Sequence, residues 1–369
     1  MIYRAYGQTG KKISTIGFGG MRFLEPKEIE KSAELVLHAH EKGITYFDTA
    51  PLYCWEKSEE IFGHAFKQMP RDSFVVSTKS FEGDGDKLRA DIEKALEKMG
   101  VDQIDVFNIW GLKSLEEWER RKKGGALDAL LKARDEGLIG HAAVSIHMTR
   151  EEADSLFDEE IFEGVTLGYN AIQFPFREQT VDSAGRHGIG VVTMNPLAGG
   201  LIPQHAERFD FIRSSDDPDV VSAGLRFILS HPAVTCALVG FSSIEEIDQA
   251  VAVVENFKPL SAEHREAMKA KIAEQFDGLC TGCGYCLPCP QGLLIPRLMD
   301  AYNMRILQGP EPEKIANRLK YHWGLTPAAA EGCTACGACE KACTQHLPII
   351  ERLEEIVEAG REIAIKENE

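Results

Sequence analysis

Four thiols, Cys280, Cys283, Cys286 and Cys289, stand at every third position and are followed by Pro290; Cys333, Cys336, Cys339 and Cys343 form a second block. A C-x2-C-x2-C loop can wrap three corners of a cubane, with the fourth corner filled from a distance. Zinc sites are built instead from separated pairs. The spacing therefore predicts [4Fe-4S] ligation ahead of zinc. Eight of the ten cysteines lie in these blocks, which points to metal or redox work before disulfides. The other two, Cys54 and Cys236, are isolated: Cys236 reads as a small buried residue of an apolar run, and Cys54 as an incidental wall residue.

A second set of residues suits proton transfer. Asp48 closes the run TYFD, Lys79 closes VVSTK, and Tyr53 follows Asp48 by five residues. A free tyrosine has a pKa of about 10 and is a feeble acid at neutral pH. A neighbouring ammonium is expected to lower that value. Asp48 would keep Lys79 protonated and oriented, leaving Tyr53 to give its proton to a carbonyl oxygen as hydride reaches the carbon.

These residues need a scaffold that brings strand ends together. Up to about residue 256 the apolar runs ISTIGF, TYFD, SFVVST, IDVFNI, HAAVSI, VTLGYNAIQF, GVVTM and TCALVG alternate with segments of helical period. Among those segments, Ile29, Ala33, Val36 and Leu37 share one face, as do Leu88, Ile92, Ala95, Leu96 and Met99, and Ile244, Ile247, Val251 and Val254. Ser243 and Glu246 have capping-box spacing. Strand then helix, eight times, predicts an α/β chain with a (β/α)8 TIM barrel at residues 1–256 and the active site at its C-terminal mouth. An open doubly wound sheet is disfavoured because GFGGMRF does not fit a GxGxxG turn. A connector helix is expected over 257–277, a small, mostly helical ferredoxin-like iron–sulfur domain over 278–348, and a helix over 349–369. Leu294, Leu298, Tyr302 and Ile306 suggest a helix between the cysteine blocks.

From YGQTGKKISTIGFGGMR to ALVGFSSIEEI the barrel resembles the aldo/keto reductases, and with its cysteine blocks the whole chain resembles those that carry a C-terminal 4Fe-4S ferredoxin-type domain. The resemblance implies catalysis by Asp48, Tyr53 and Lys79. The family normally adds a histidine in a stretch like LLHGL; here FNIWGL puts Trp110 in that place, able to donate only an indole N–H. His147, which with Trp110 would line the substrate pocket, is a substitute donor or, as expected here, a packing residue. NAD(P)H is the implied cofactor, with a flavin as a further candidate. Its contacts would fall at Gly19, Gly20, Met21, Ser145, Asn170, Met194, Pro196, Leu197, Gly199, Gly200, Gly240, Ser242 and Ser243. Glu245, Glu246 and Asp248 stand where a cation often holds a 2′-phosphate, which weighs against NADPH without deciding it. Ala250 and Thr166 replace the family's usual Asn and Gln. The second cysteine block has the x3 last gap of bacterial ferredoxins, although Thr344 replaces the usual following proline. That likeness implies two clusters, one on Cys280, Cys283, Cys286 and Cys343 and one on Cys289, Cys333, Cys336 and Cys339.

Composition narrows the partners. With 41 Lys plus Arg against 58 Asp plus Glu, the net charge of -17 disfavours nucleic acid and anionic lipid. MIYRAYGQTGKK lacks an apolar signal core and no apolar run approaches a membrane span, so a cytoplasmic protein is expected. The function expected is an oxidoreductase reducing a carbonyl or an activated double bond of a small molecule, linked to one-electron transfer and to a redox protein partner. The alternatives are an electron carrier or docking subunit whose barrel has lost catalysis, and clusters that serve only as structural staples.

Overall fold

The computed structural model describes residues 1–148, 150–255, 257–275, 278–280, 286–343 and 347–366. They form two compact units, Met1–Arg265 and Glu266–Glu369. Cys283, Asn256 and Thr344 lie outside the described residues.

The first unit opens with a hairpin, β1 (Tyr3–Ala5) against β2 (Lys12–Ser14), antiparallel. Eight further strands follow: β3 (Ile16–Gly19), β4 (Tyr46–Asp48), β5 (Val75–Ser80), β6 (Ile104–Leu112), β7 (Ile139–Ile146), β8 (Gly164–Gly168), β9 (Gly190–Met194) and β10 (Val234–Val239). They close into a barrel of order β10-β3-β4-β5-β6-β7-β8-β9, every neighbouring pair parallel. This is the expected TIM barrel.

Two runs are divided differently from the expectation. ISTIGF serves both sheets: the hairpin ends at Ser14 and the barrel begins at Ile16. Between them the Ser14 hydroxyl donates to the Ile16 carbonyl (2.6 Å) and accepts from Thr45 N–H (2.9 Å), turning the chain. VTLGYNAIQF stops pairing at Gly168, because the Asn170 side-chain Oδ1 accepts from Ile172 and Gln173 N–H, both at 3.0 Å, and starts the helix Phe174–Arg186.

The hairpin closes the barrel floor. Fully buried Tyr6 lies against Gly164 and Gly190 and joins Ile13, Tyr46, Val106 and Val192 in one apolar layer. Side chains at either glycine would collide with the Tyr6 ring, so the plug requires them. The opposite end remains for chemistry.

The helices follow their apolar periods. Leu88, Ile92, Ala95 and Met99 are the buried face of Gly85–Met99, and Ile247, Val251 and Val254 are buried on Ile244–Glu255. Ile244, at the first turn, is 42% exposed.

In the second unit the helix Ile295–Gln308 appears where expected, and Ala262–Gln275 leads into the unit. Ile349–Lys366 buries Ile349, Leu353, Ile356 and Ala359 in a core shared with Leu298, Met299 and Leu319. Among the described residues no helix is long and apolar enough to cross a membrane.

Candidate active site and cluster-binding unit

The β4–β5 pairing places Asp48 beside Ser77, two residues before Lys79 on the same face of the strand. Lys79 Nζ donates to Asp48 Oδ1 at 2.5 Å, and Ser77 Oγ donates to Asp48 Oδ2 at 2.8 Å. Asn108 on β6 donates to Ser77 Oγ (3.0 Å) and accepts from Thr166 of β8 (3.3 Å). A buried polar chain thus crosses four strands and fixes the carboxylate. Sequence reasoning missed Ser77 and Asn108. Their signal was a polar residue inside an otherwise apolar strand run.

Tyr53 comes from the turn after β4, and its hydroxyl oxygen accepts from Lys79 Nζ at 3.4 Å. Among the described residues that hydroxyl donates to nothing. The turn is strained: Cys54, Trp55 and Glu56 all have positive φ, at 52, 54 and 66°, each costing roughly 1–2 kcal/mol for an L-residue.

The electrostatics correct one expectation. Burial pushes the Tyr53 phenol up and outweighs the lowering by Lys79, so Tyr53 keeps its proton rather than tending towards phenolate. Burial alone would lower Lys79, but Asp48 and Tyr53 more than offset it and hold the ammonium above its ordinary value. A neutral phenol beside a fixed ammonium is a proton donor that becomes acidic only as negative charge develops opposite it.

Trp110 stands edge-on to Tyr53, with ring centroids 5.6 Å apart at 90°, and stacks on Phe81 at 3.7 Å. Gly111, at φ +71°, has no side chain to push Phe81 away. Among the described residues the Trp110 indole N–H has no partner. His147 is exposed beyond the end of β7. Cys54 is partly buried and donates to the Gly20 carbonyl at 3.4 Å; burial pushes its thiol up, away from a reactive thiolate. Cys236 is fully buried in the barrel floor.

The expected cofactor positions divide. Gly20 is required by packing, since a Cβ there would meet Ser58 and Phe62 within 2.4 Å. Gly19 is buried against Leu238, while Met21 is 58% exposed at the rim. Asn170 is fully buried and its amide is spent on Ile172, Gln173 and the Asn195 carbonyl. Ser145 is buried at the end of β7 and Met194 is half-buried at the end of β9. Beyond β9, Pro196 and Leu197 lead into a turn where Ala198, Gly199 and Gly200 have φ of 52, 70 and 93°.

At the N-terminus of Ile244–Glu255, Ser243 Oγ accepts from Glu246 N–H at 3.4 Å, but the Glu246 carboxylate reaches past Ser243 to Ser242, accepting from its N–H (2.7 Å) and hydroxyl (2.8 Å). The capping box is displaced by one residue. Arg22, from the β3 loop, lies over Gly240 and among the described residues has neither hydrogen bond nor ion pair. No spacing along the chain marks this cation, because it comes from the opposite end of the barrel chain. A guanidinium carried by this loop suits the phosphates of a dinucleotide.

In the second unit, Cys289, Cys333, Cys336 and Cys339 line one small cavity, otherwise walled by Leu293, Ile295, Ile350 and Leu353 and by uncharged neighbours. Cys280, Cys286 and Cys343 pack against the same core. No three of these thiols already converge at ligand distance among the described residues. Asn303 clamps the first block, accepting from Cys280 N–H (2.8 Å) and donating to Cys280 C=O (2.7 Å). Thiols from both blocks around one apolar cavity fit iron–sulfur ligation.

A closed parallel barrel with a buried Lys–Asp pair beneath a phenol at its mouth has the build of a TIM-barrel oxidoreductase. Residues 15–273 match the aldo/keto reductase family model, and the chain belongs to that family. Residues 279–349 match the 4Fe-4S dicluster domain. L-galactose dehydrogenase of Arabidopsis thaliana is 24% identical over 288 residues, covering 70% of this chain and 89% of that protein. An uncharacterized oxidoreductase of Bacillus subtilis is 23% identical, covering 69% and 91%. The holo form of an aldo-keto reductase from Bacillus halodurans superposes with TM-score 0.64 at 23% identity, over 73% of this chain and 96% of that one, which shows the shared fold.

Proposed function

We propose that the barrel reduces a carbonyl, or an activated double bond, of a small molecule with NAD(P)H, and that the second unit passes single electrons through two [4Fe-4S] clusters. The observation that carries the catalytic reading is the Tyr53 hydroxyl, held by Lys79 and free to donate. When bound, the nicotinamide supplies hydride and the clusters supply one-electron steps. Tyr53 gives its proton to the substrate oxygen, Lys79 stabilises the phenolate that this leaves, and Asp48 holds Lys79 in place through the chain from Ser77 and Asn108. Trp110 offers its indole N–H as a second donor and, with Phe81, excludes water from one side.

Arg22, Ser242 and Ser243 are placed for cofactor phosphates. Glu246 already occupies the Ser242 donors, which favours a cofactor without a 2′-phosphate. For the clusters we assign Cys280, Cys283, Cys286 and Cys343 to one and Cys289, Cys333, Cys336 and Cys339 to the other. Because hydride moves electrons in pairs, the reading requires a flavin, a radical-tolerant substrate or a redox protein partner where the two halves couple.

The alternative, an electron carrier whose barrel no longer catalyses, is favoured by Trp110 standing in the histidine position. Tyr53→Phe decides between them: carbonyl reduction should fall about 10²–10⁴-fold while cluster reduction by dithionite is unchanged. Wild-type protein without carbonyl reductase activity across a panel of aldehydes and quinones would favour the carrier.

A further inference from the structure

Trp110 leaves the pairing of the barrel at a bulge. On β6, Ile109 pairs with Ser80 of β5 and Val144 of β7, and the next β7 pair joins Leu112 to Ile146, so three steps along β6 match two along β7. Among the described residues Trp110 and Gly111 have no partner in either ladder. Bulges of this kind re-aim side chains beside active sites. The Trp110 carbonyl accepts instead from Arg121 Nη1 at 2.9 Å. Arg121 lies on the helix Leu115–Lys123 and is only 6% exposed. Its Nη2 donates to Glu117 Oε1 at 2.5 Å, and Glu117 Oε2 accepts from Lys113 N–H at 3.1 Å, which ties the guanidinium back to the end of β6. The Arg121 stem backs the neighbouring loop as well, since a Cβ at Gly83 would come within 3.1 Å of Arg121 Cγ. That loop follows β5 and carries Phe81, the ring stacked on Trp110 at 3.7 Å. One buried side chain thus touches the segments that bear both rings of the stack, and the Trp110 end of the stack meets Tyr53.

We propose that Arg121 is a positioning residue of the catalytic mouth: it locks Trp110 and Phe81 into the stack that holds the Tyr53 ring with its hydroxyl in reach of Lys79. The inference rests on the proton-donor role proposed for Tyr53 and extends it to a residue that acts only through Trp110. Tyr53 needs such a wall. It comes from a turn with three successive positive φ angles, and its hydroxyl has a single long hydrogen bond, 3.4 Å from Lys79 Nζ. The perpendicular edge contact with Trp110 supplies the remaining restraint on the ring. Trp110 restrains Tyr53 only if its own backbone is fixed, and outside the ladders that task falls to Arg121. A guanidinium suits it because separate nitrogens serve the Trp110 carbonyl and Glu117 at once, in a rigid fork that a lysine ammonium does not reproduce. Small displacements of a proton donor cost rate steeply, so a residue remote from the reacting atoms can govern kcat.

The test combines fluorine NMR of the full chain labelled with 5-fluorotryptophan and steady-state reduction of 4-nitrobenzaldehyde by NADH. The Trp110 resonance is identified by its loss in Trp110→Leu. We expect Arg121→Met to shift or broaden that resonance, and to lower kcat about ten- to a hundredfold while NADH binding is unchanged. Arg121→Lys, which keeps the charge beside Glu117 without the fork, should lie between Met and wild type. In a Trp110→Leu background, Arg121→Met should lower kcat no further, because the ring through which Arg121 acts is gone. Gly83→Ala, which presses on the Arg121 stem and removes no charge, should move the Trp110 resonance in the same direction, and it decides the matter if Arg121→Met does not fold. An unmoved Trp110 resonance in both Arg121→Met and Gly83→Ala, or an equal loss of kcat with and without Trp110, would overturn the proposal. Wild-type protein that reduces no aldehyde would instead sink the proton-donor role of Tyr53, and the Trp110 resonance would still decide whether Arg121 holds that ring.

Discussion

Breaking the Asp48–Lys79 pair one side at a time tests the arrangement on which the proposed chemistry depends. The two side chains are 1% and 3% exposed, so neither charge can turn to water when its partner is removed. Removing one member of such a pair typically costs about 3–5 kcal/mol, mostly because the other charge is left buried and alone. In Lys79→Met the Ser77 hydroxyl still donates to Asp48, which places the expected loss near the lower end, about 3 kcal/mol. For a barrel of this size each kcal/mol lowers the melting temperature by roughly 2–4 °C, giving a drop of about 6–12 °C. Asp48→Asn should fall similarly, since it strands the ammonium. The double variant Asp48→Asn/Lys79→Met leaves no charge unpaired and should lose less than either single change. Differential scanning calorimetry, following the larger of the two unfolding transitions, measures all three. If both singles melt within 2 °C of wild type, or the double variant shows simple additivity, the pair is not the buried, mutually dependent unit described here.

Two further outcomes follow from the same geometry. Lys79 and Tyr53 both have raised values, so each contributes stability that is complete below its ordinary value and is lost as pH rises through the folded one. The melting temperature should therefore decline from about pH 10 upward, and kcat/KM should keep its alkaline limb at or above that pH; a limb near neutrality would show that Tyr53 is not the proton donor. Glu246→Ala frees the Ser242 N–H and hydroxyl, and should tighten NADPH relative to NADH in fluorescence titrations; an unchanged ratio would remove Glu246 from cofactor choice.

Much of the architecture was legible in the chain because it depends on local pattern. The strand runs and helical periods mark a barrel of eight alternating units, and a fixed cysteine spacing names its own chemistry. The trio of Asp48, Tyr53 and Lys79 could be placed because strand ends in a parallel barrel share one mouth. Boundaries were less legible: ISTIGF looks like one strand, yet a side-chain hydrogen bond from Ser14 divides it between two sheets.

The sequence by itself determined the residue types available for proton transfer and for iron ligation, and roughly where each sits along the fold. Tertiary structure decided what surrounds them. That burial outweighs Lys79 at Tyr53, that Asn108 supports Asp48 through Ser77, and that Arg22 reaches Gly240 are all relations between residues far apart in the chain. Hydrogen bonding and desolvation depend on distances of a few ångströms in space, and spacing along a chain carries that information only within one helix or strand.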